Sequence, residues 1–257
     1  MANRYNRPLM MRSLFSLAFL IVAISSASAE SAKINPGKYV RDNDTGRLTI
    51  QKNKKNELHF SIVSFGVNCH SCSASGVIRN GVGHADSWHE DEECLISFSA
   101  QKSSIDIEPI THKECRGVCG HRADFAGSYV IPPAACTGAG RQSQRNRFLA
   151  LYRSRQYSQA ANTLETLIAQ CSEFMHWIEV DQVRNDLALS RYHNNEASQC
   201  LDTLNGTLAA KVKNEAELIS GEHDTHLSPC DFESYIGLAK AIWFNRSLCS
   251  KAQPERK

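Results

Sequence analysis

Ten cysteines, all downstream of an apolar leader, constrain this 257-residue chain more than any other feature. Arg4, Arg7 and Arg12 precede an apolar run from Leu14 to Ile24, which ends in the small-residue stretch Ala27-Ser28-Ala29. A run shorter than the roughly 20 residues of a spanning helix, closed by an Ala-x-Ala signal, predicts a secretory signal peptide over residues 1–29, cleaved before Glu30. Cysteines exported to an oxidising compartment pair with one another. Cys69, Cys72, Cys94, Cys115, Cys119, Cys136, Cys171, Cys200, Cys230 and Cys249 are therefore expected in disulfides, and the mature protein in the periplasm. Six cysteines precede a Gly-rich break at Thr137-Gly-Ala-Gly140 and four follow it, an even split that favours bridges confined to each side. Fifteen connectivities remain for the first set and three for the second, and only a bridge from Cys171 to Cys200 is preferred among them.

The leader takes three arginines with it, so 29 basic residues become 26 against 27 acidic ones. A near-neutral mature chain without clustered Lys and Arg is a poor partner for a phosphate backbone, which excludes nucleic acid, and no membrane span remains once the leader is removed. The 228 residues from Glu30 onward are enough for two small domains.

From Lys33 to Ile131 the apolar period is two. Leu48 and Ile50 alternate, as do Leu58, Phe60 and Ile62, with the turn cluster Asn43-Asp-Thr-Gly46 before them and Lys52 to Lys55 between them. Gly76-Val-Ile78, Cys94 to Phe98, Ile105-Asp-Ile107 and Ser128-Tyr-Val130 continue the series. Strands at this spacing predict a small antiparallel barrel or sandwich, stapled by disulfides, over residues 30–136. Residues 137–143 read as a linker. Beyond them the period becomes helical, with further helices expected over 177–192, 197–208 and 232–248. Ala160, Leu164, Thr166 and Leu167 match Ala197, Leu201, Thr203 and Leu204 at an offset of 37, and Tyr157 to Ala160 is similar to the second helix of a tetratricopeptide-like unit. The expected fold class is α+β in two domains, a disulfide-stapled barrel or sandwich followed by a tetratricopeptide-like helical bundle over 144–257.

The sequence carries no Gly-x-Ser-x-Gly elbow, no phosphate-cradling Gly-rich loop and no His-Glu-x-x-His helix, and it reads as a binding protein rather than an enzyme. Cys69-His-x-Cys72 and Cys115-x3-Cys119-x-His121 have zinc-like spacing, and His223 and His226 form another polar pair. An oxidising compartment favours disulfides over thiolate ligands, so neither a metal nor another cofactor is expected.

Gly37-x-Tyr39, Ser75-Gly76 and the run from Cys115-x3-Cys119-Gly120 to Phe125-x-Gly127-x-Tyr129 resemble the bacterial periplasmic lysozyme-inhibitor-like modules over residues 34–136. The resemblance implies a short Ser-Gly loop inserted into the cleft of a peptidoglycan-cleaving enzyme. Ser75, Gly76 and Arg79 would occupy that loop, although Arg79 stands where the family motif ends in Tyr. A muramidase places two carboxyl groups about its scissile bond, which a hydroxyl, backbone amides and the Arg79 cation would suit. A second candidate surface is the acidic stretch from His84 to Glu93 with Trp88, Glu90 and Asp91, since Trp anchors interfaces and acids steer a basic partner. The expected function is inhibition of, or immunity to, a peptidoglycan hydrolase. The alternatives are an adaptor that grips an envelope protein or peptide through its helices, and a metal-dependent periplasmic enzyme.

Overall fold

A computed structural model describes residues 33–86, 93–220 and 227–253. The expected leader over 1–29, the partner candidates Trp88, Glu90 and Asp91, and the pair His223 and His226 lie outside the described residues. Period-two alternation becomes eight strands: β1 Gly37–Arg41, β2 Gly46–Lys52, β3 Leu58–Phe65, β4 Ser71–Arg79, β5 Val82–Ala85, β6 Leu95–Ala100, β7 Ser104–Pro109 and β8 Gly127–Val130. Each pairs antiparallel with its sequence neighbour, and β1 pairs with β8 through Val40 and Val130, so the sheet closes into a barrel. Closure removes the unpaired edges an open sheet would present. The inward residues Leu48, Ile50, Phe60, Ile62, Ile96, Phe98, Ile105 and Ile107 fill the interior. Tyr129 on β8 is fully buried and its hydroxyl donates to the Phe125 carbonyl at 2.9 Å. Burial pushes its phenol up to about 12.

After β7 come a single helical turn, α1 His112–Cys115, and β8. Thr137 then caps α2, its hydroxyl accepting from Gly140 N–H at 3.1 Å, so that helix Gly138–Arg153 begins inside the segment read as linker. α3 Tyr157–Cys171, α4 Trp177–His193, α5 Ala197–Asn205, α6 Glu215–Ser220 and α7 Pro229–Lys251 follow. Their core includes Tyr235, whose hydroxyl donates to Asp181 Oδ2 at 2.7 Å and accepts from Ala209 N–H at 2.9 Å.

The barrel-then-helices order is that of a broadly two-part α+β chain, with a closed eight-stranded barrel in place of the barrel-or-sandwich alternative, but the expectation of two separately stapled domains is corrected. The described residues form one compact unit, and covalent and ionic links run between barrel and helices. The disulfides are Cys69–Cys230, Cys72–Cys119, Cys94–Cys115, Cys136–Cys171 and Cys200–Cys249. Cys69–Cys230 and Cys136–Cys171 cross the Gly-rich break, so the bridges are not confined to either side, and Cys171 does not pair with Cys200. Asp44, in the turn between β1 and β2, lies 2.6 Å from Arg47 and 3.7 Å from Arg141 of α2. Arg141 also pairs with Glu179 of α4 at 3.0 Å and donates to the carbonyls of Cys136 and Phe174. A charge buried this deeply is stable only because every side of it is paired.

The helical half repeats at a spacing other than the one read in the sequence. The turn after α2 and the turn after α4 are equivalent: Arg155 and Asn195 both have positive φ, and Gln156 N–H to Leu151 O repeats as Glu196 N–H to Arg191 O. Residue 155 to residue 195 is an offset of 40, which aligns buried Ala160 and Leu164 with buried Cys200 and Leu204. The sequence offset of 37 is therefore wrong by three, and neither value is the roughly 34 of a tetratricopeptide unit. Five bridges with no free cysteine among the described residues belong to an oxidising environment. Among the described residues, no helix is long and apolar enough to cross a membrane.

Candidate functional site

Ser75, Gly76 and Arg79 stand in β4, in the body of the barrel wall. Ser75 is opposite Ser61 of β3, Gly76 lies between Phe60 and Ala85, and Arg79 is opposite Val82. A strand paired on both sides cannot leave the sheet without orphaning its ladder, so this segment is not an inserting loop. The tight turn comes next, at Asn80 and Gly81, whose φ values of 50° and 80° are those of a two-residue hairpin. Side chains at 75, 77 and 79 point outward while Gly76 and Ile78 point in. Ser75 and Arg79 are about 13 Å apart along the strand, at about 3.3 Å per residue. One narrow catalytic cleft would not receive both.

Gly76 has a local reason. A Cβ there would sit 1.8 Å from the His84 carbonyl oxygen of β5, so the close approach of the two strands requires glycine.

The Ser75 hydroxyl donates to Asp86 Oδ2 at 2.9 Å, and Asp86 N–H donates to the Ser75 carbonyl at 2.7 Å. Two residue pairs along, His84 Nδ1 lies 2.6 Å from Glu93 Oε1. Glu93 is held in turn by Thr111, whose hydroxyl donates to its carbonyl at 2.9 Å and accepts from Leu95 N–H at 2.8 Å. On β3, His59 lies 3.0 Å from the Asn53 amide. The outer wall of β3, β4 and β5 thus presents a fixed polar surface of Ser75, His84, Asp86 and Glu93.

Asp86 and Glu93 flank the segment with Trp88, Glu90 and Asp91. Of the two candidate surfaces picked out in the sequence, the described residues Ser75 and Asp86 are joined by this hydrogen bond. His84, Asp86 and Glu93 lie within the His84–Glu93 stretch read in the sequence as an acidic loop, but the strand that carries His84 was not recognised. Val82-Gly-His-Ala85 alternates, and reading it as a strand would have put His84 outward beside Ser75 and Val77. Its four residues, one of them glycine, carry too little apolar content for the pattern to stand out.

The cysteines with zinc-like spacing, Cys69, Cys72, Cys115 and Cys119, are all in disulfides. Among the described residues, no group of three or more His, Cys, Asp or Glu side chains is placed to hold a metal ion. No family model, curated protein or solved structure matches the chain.

Proposed function

We propose that the protein is a periplasmic inhibitor or immunity protein that binds a peptidoglycan-cleaving enzyme through the outer wall of β3, β4 and β5. The observation that carries this reading is the Ser75–Asp86 hydrogen bond, which joins the strand of the Ser-Gly motif to the base of the acidic, Trp-bearing segment. Closure of the barrel and the Cys72–Cys119 and Cys94–Cys115 bridges hold that wall in place before any partner arrives. A pre-ordered surface loses little conformational entropy on docking. Its carboxylates favour a basic partner and speed the encounter. Contact is made by the wall, the Asn80-Gly81 hairpin end and residues 87–92, so the enzyme is covered at its cleft rather than penetrated by a Ser-Gly loop.

The test is a clearing assay in which the oxidised protein is added to a panel of peptidoglycan hydrolases acting on cell-wall suspensions. At least one enzyme should be slowed at equimolar inhibitor. Ser75→Arg, Arg79→Glu and Trp88→Ala should each weaken that inhibition about tenfold, or about 1.4 kcal/mol, with unfolding temperatures unchanged. The proposal fails if no hydrolase is slowed, or if all three variants inhibit like the parent.

A further inference from the structure

Away from that wall, the segment from Cys115 to Ala126 encloses a cavity of about 450 Å³ beside Pro109 and α1. This volume is in the range of small-ligand sites. Its floor is apolar, made by Pro109, Ala123, Phe125 and the Cys115 and Cys119 bridges. Its rim carries His112, Arg116, His121 and Arg122, all exposed. Asp124 is the one carboxylate in the lining, and its Oδ1 is already engaged by Arg41 at 3.1 Å. Among the described residues, neither the Arg116 nor the Arg122 side chain has an ion-pair or hydrogen-bond partner. Two unpartnered guanidinium groups over an apolar hollow are the converse of a solvated basic loop, which needs no hollow beneath it.

The segment is also more firmly held than a connection of its kind requires. Cys115 and Cys119 are bridged to Cys94 and Cys72. Gly120 N–H donates to the Ser71 carbonyl at 2.8 Å, and the Ser64 hydroxyl to the Asp124 carbonyl at 2.7 Å. Arg41 donates to the Ala126 carbonyl at 2.8 Å, and Tyr129 to that of Phe125. Irregular backbone fixed at this many points, with cations directed outward, is the arrangement of a pre-organised binding loop.

We infer that this cavity binds an organic carboxylate with an apolar body. Guanidinium groups match a carboxylate in charge and in fork geometry. The Phe125 and Pro109 floor takes the apolar part, which a bare inorganic anion would leave unused. The site is separate from the β3–β5 wall, so its test is independent of the hydrolase reading.

Calorimetric titration of the oxidised protein uses N-acetyl-Ala-Ala as free acid, the same dipeptide as its C-terminal amide, isobutyrate and inorganic phosphate. The dipeptide acid should bind in the millimolar range or tighter, with the amide at least tenfold weaker. Arg116→Gln and Arg122→Gln should each weaken the acid at least fivefold, while Arg147→Gln, exposed on α2 and outside the cavity, should not change it. An amide that binds as well as the acid overturns the carboxylate assignment. Isobutyrate should also bind more tightly than inorganic phosphate, and phosphate binding as well as either acid overturns the role of the apolar floor. No heat with the dipeptide acid up to about 10 mM overturns the site altogether.

Discussion

His176 begins α4 as its N-cap, with ring Nδ1 accepting from Ile178 N–H at 3.4 Å. Only the neutral imidazole can accept there. Burial holds its pKa below the ordinary value of about 6.5, against the upward pull of Asp231, Asp44 and Glu179 and with a small downward push from Arg47. A histidine with a depressed folded-state pKa binds more protons unfolded than folded just below pH 6.5, so its contribution to stability falls as pH is lowered through that window. The unfolding temperature of the parent should therefore drop between pH 7 and pH 5 by more than that of His176→Asn, which keeps a capping acceptor at both pH values. Equal drops in melts at the two pH values would remove the argument. At Gly76 the effect is steric: Gly76→Ala should cost about 3 kcal/mol or prevent folding, because the alanine methyl meets the His84 backbone carbonyl. Ser75→Ala, which removes one exposed hydrogen bond, should cost at most about 1 kcal/mol in the same denaturant titration. The sequence marks Gly76 as half of a Ser-Gly motif and as the first residue of a short apolar strand. The carbonyl that requires it belongs to a strand too short to be recognised, so a structural glycine reads there as a ligand contact.

Elements with a strong apolar period were legible in the chain. β2 and β3 follow from Leu48, Ile50, Leu58, Phe60 and Ile62, whose inward side chains recur every second residue. The first half of β4 was not legible, because its inward residues are Cys72 and Ala74 and its outward ones are serines, none of them typical strand formers. In the helices, residue type was legible but register was not. One face of a helix repeats every three or four residues, so a slip from 40 to 37 still lays apolar positions on apolar ones. The turns settle the register, through the positive φ of Arg155 and Asn195. Arg at a left-handed position is strained, whereas Asn tolerates it. Arg155→Asn should accordingly stabilise the protein by about 0.5–1 kcal/mol, read as a higher urea midpoint with an unchanged slope. An unchanged midpoint would mean that the Arg155 side chain compensates its backbone in some other way.

For the molecule as a whole, counting cysteines on each side of a break gave the wrong connectivity because disulfides follow proximity in space, and the barrel and helices are packed together. The turn holding Asn68 and Cys69 meets the start of α7, where Asn68 N–H lies 3.4 Å from Asp231 Oδ2 beside the Cys69–Cys230 bridge. On another part of the same contact, Asp44, Arg141 and Glu179 tie the first barrel turn to α2 and α4. A chain truncated after Gly140 would lack Arg141 and would leave Cys69 and Cys136 without Cys230 and Cys171, so the barrel is not expected to survive as a separate module. The sharper test keeps the chain whole. In Cys69→Ser combined with Cys230→Ser, the unfolded ensemble loses one long-range constraint, which should lower stability by about 2–4 kcal/mol. The Asp44–Arg141–Glu179 contacts and Cys136–Cys171 still couple the two halves, so calorimetry should show one transition at a lower temperature, with calorimetric and van't Hoff enthalpies in agreement. Two resolved transitions in the variant would mean that the ionic contact contributes little, and that the single unit is made by the Cys69–Cys230 bridge alone.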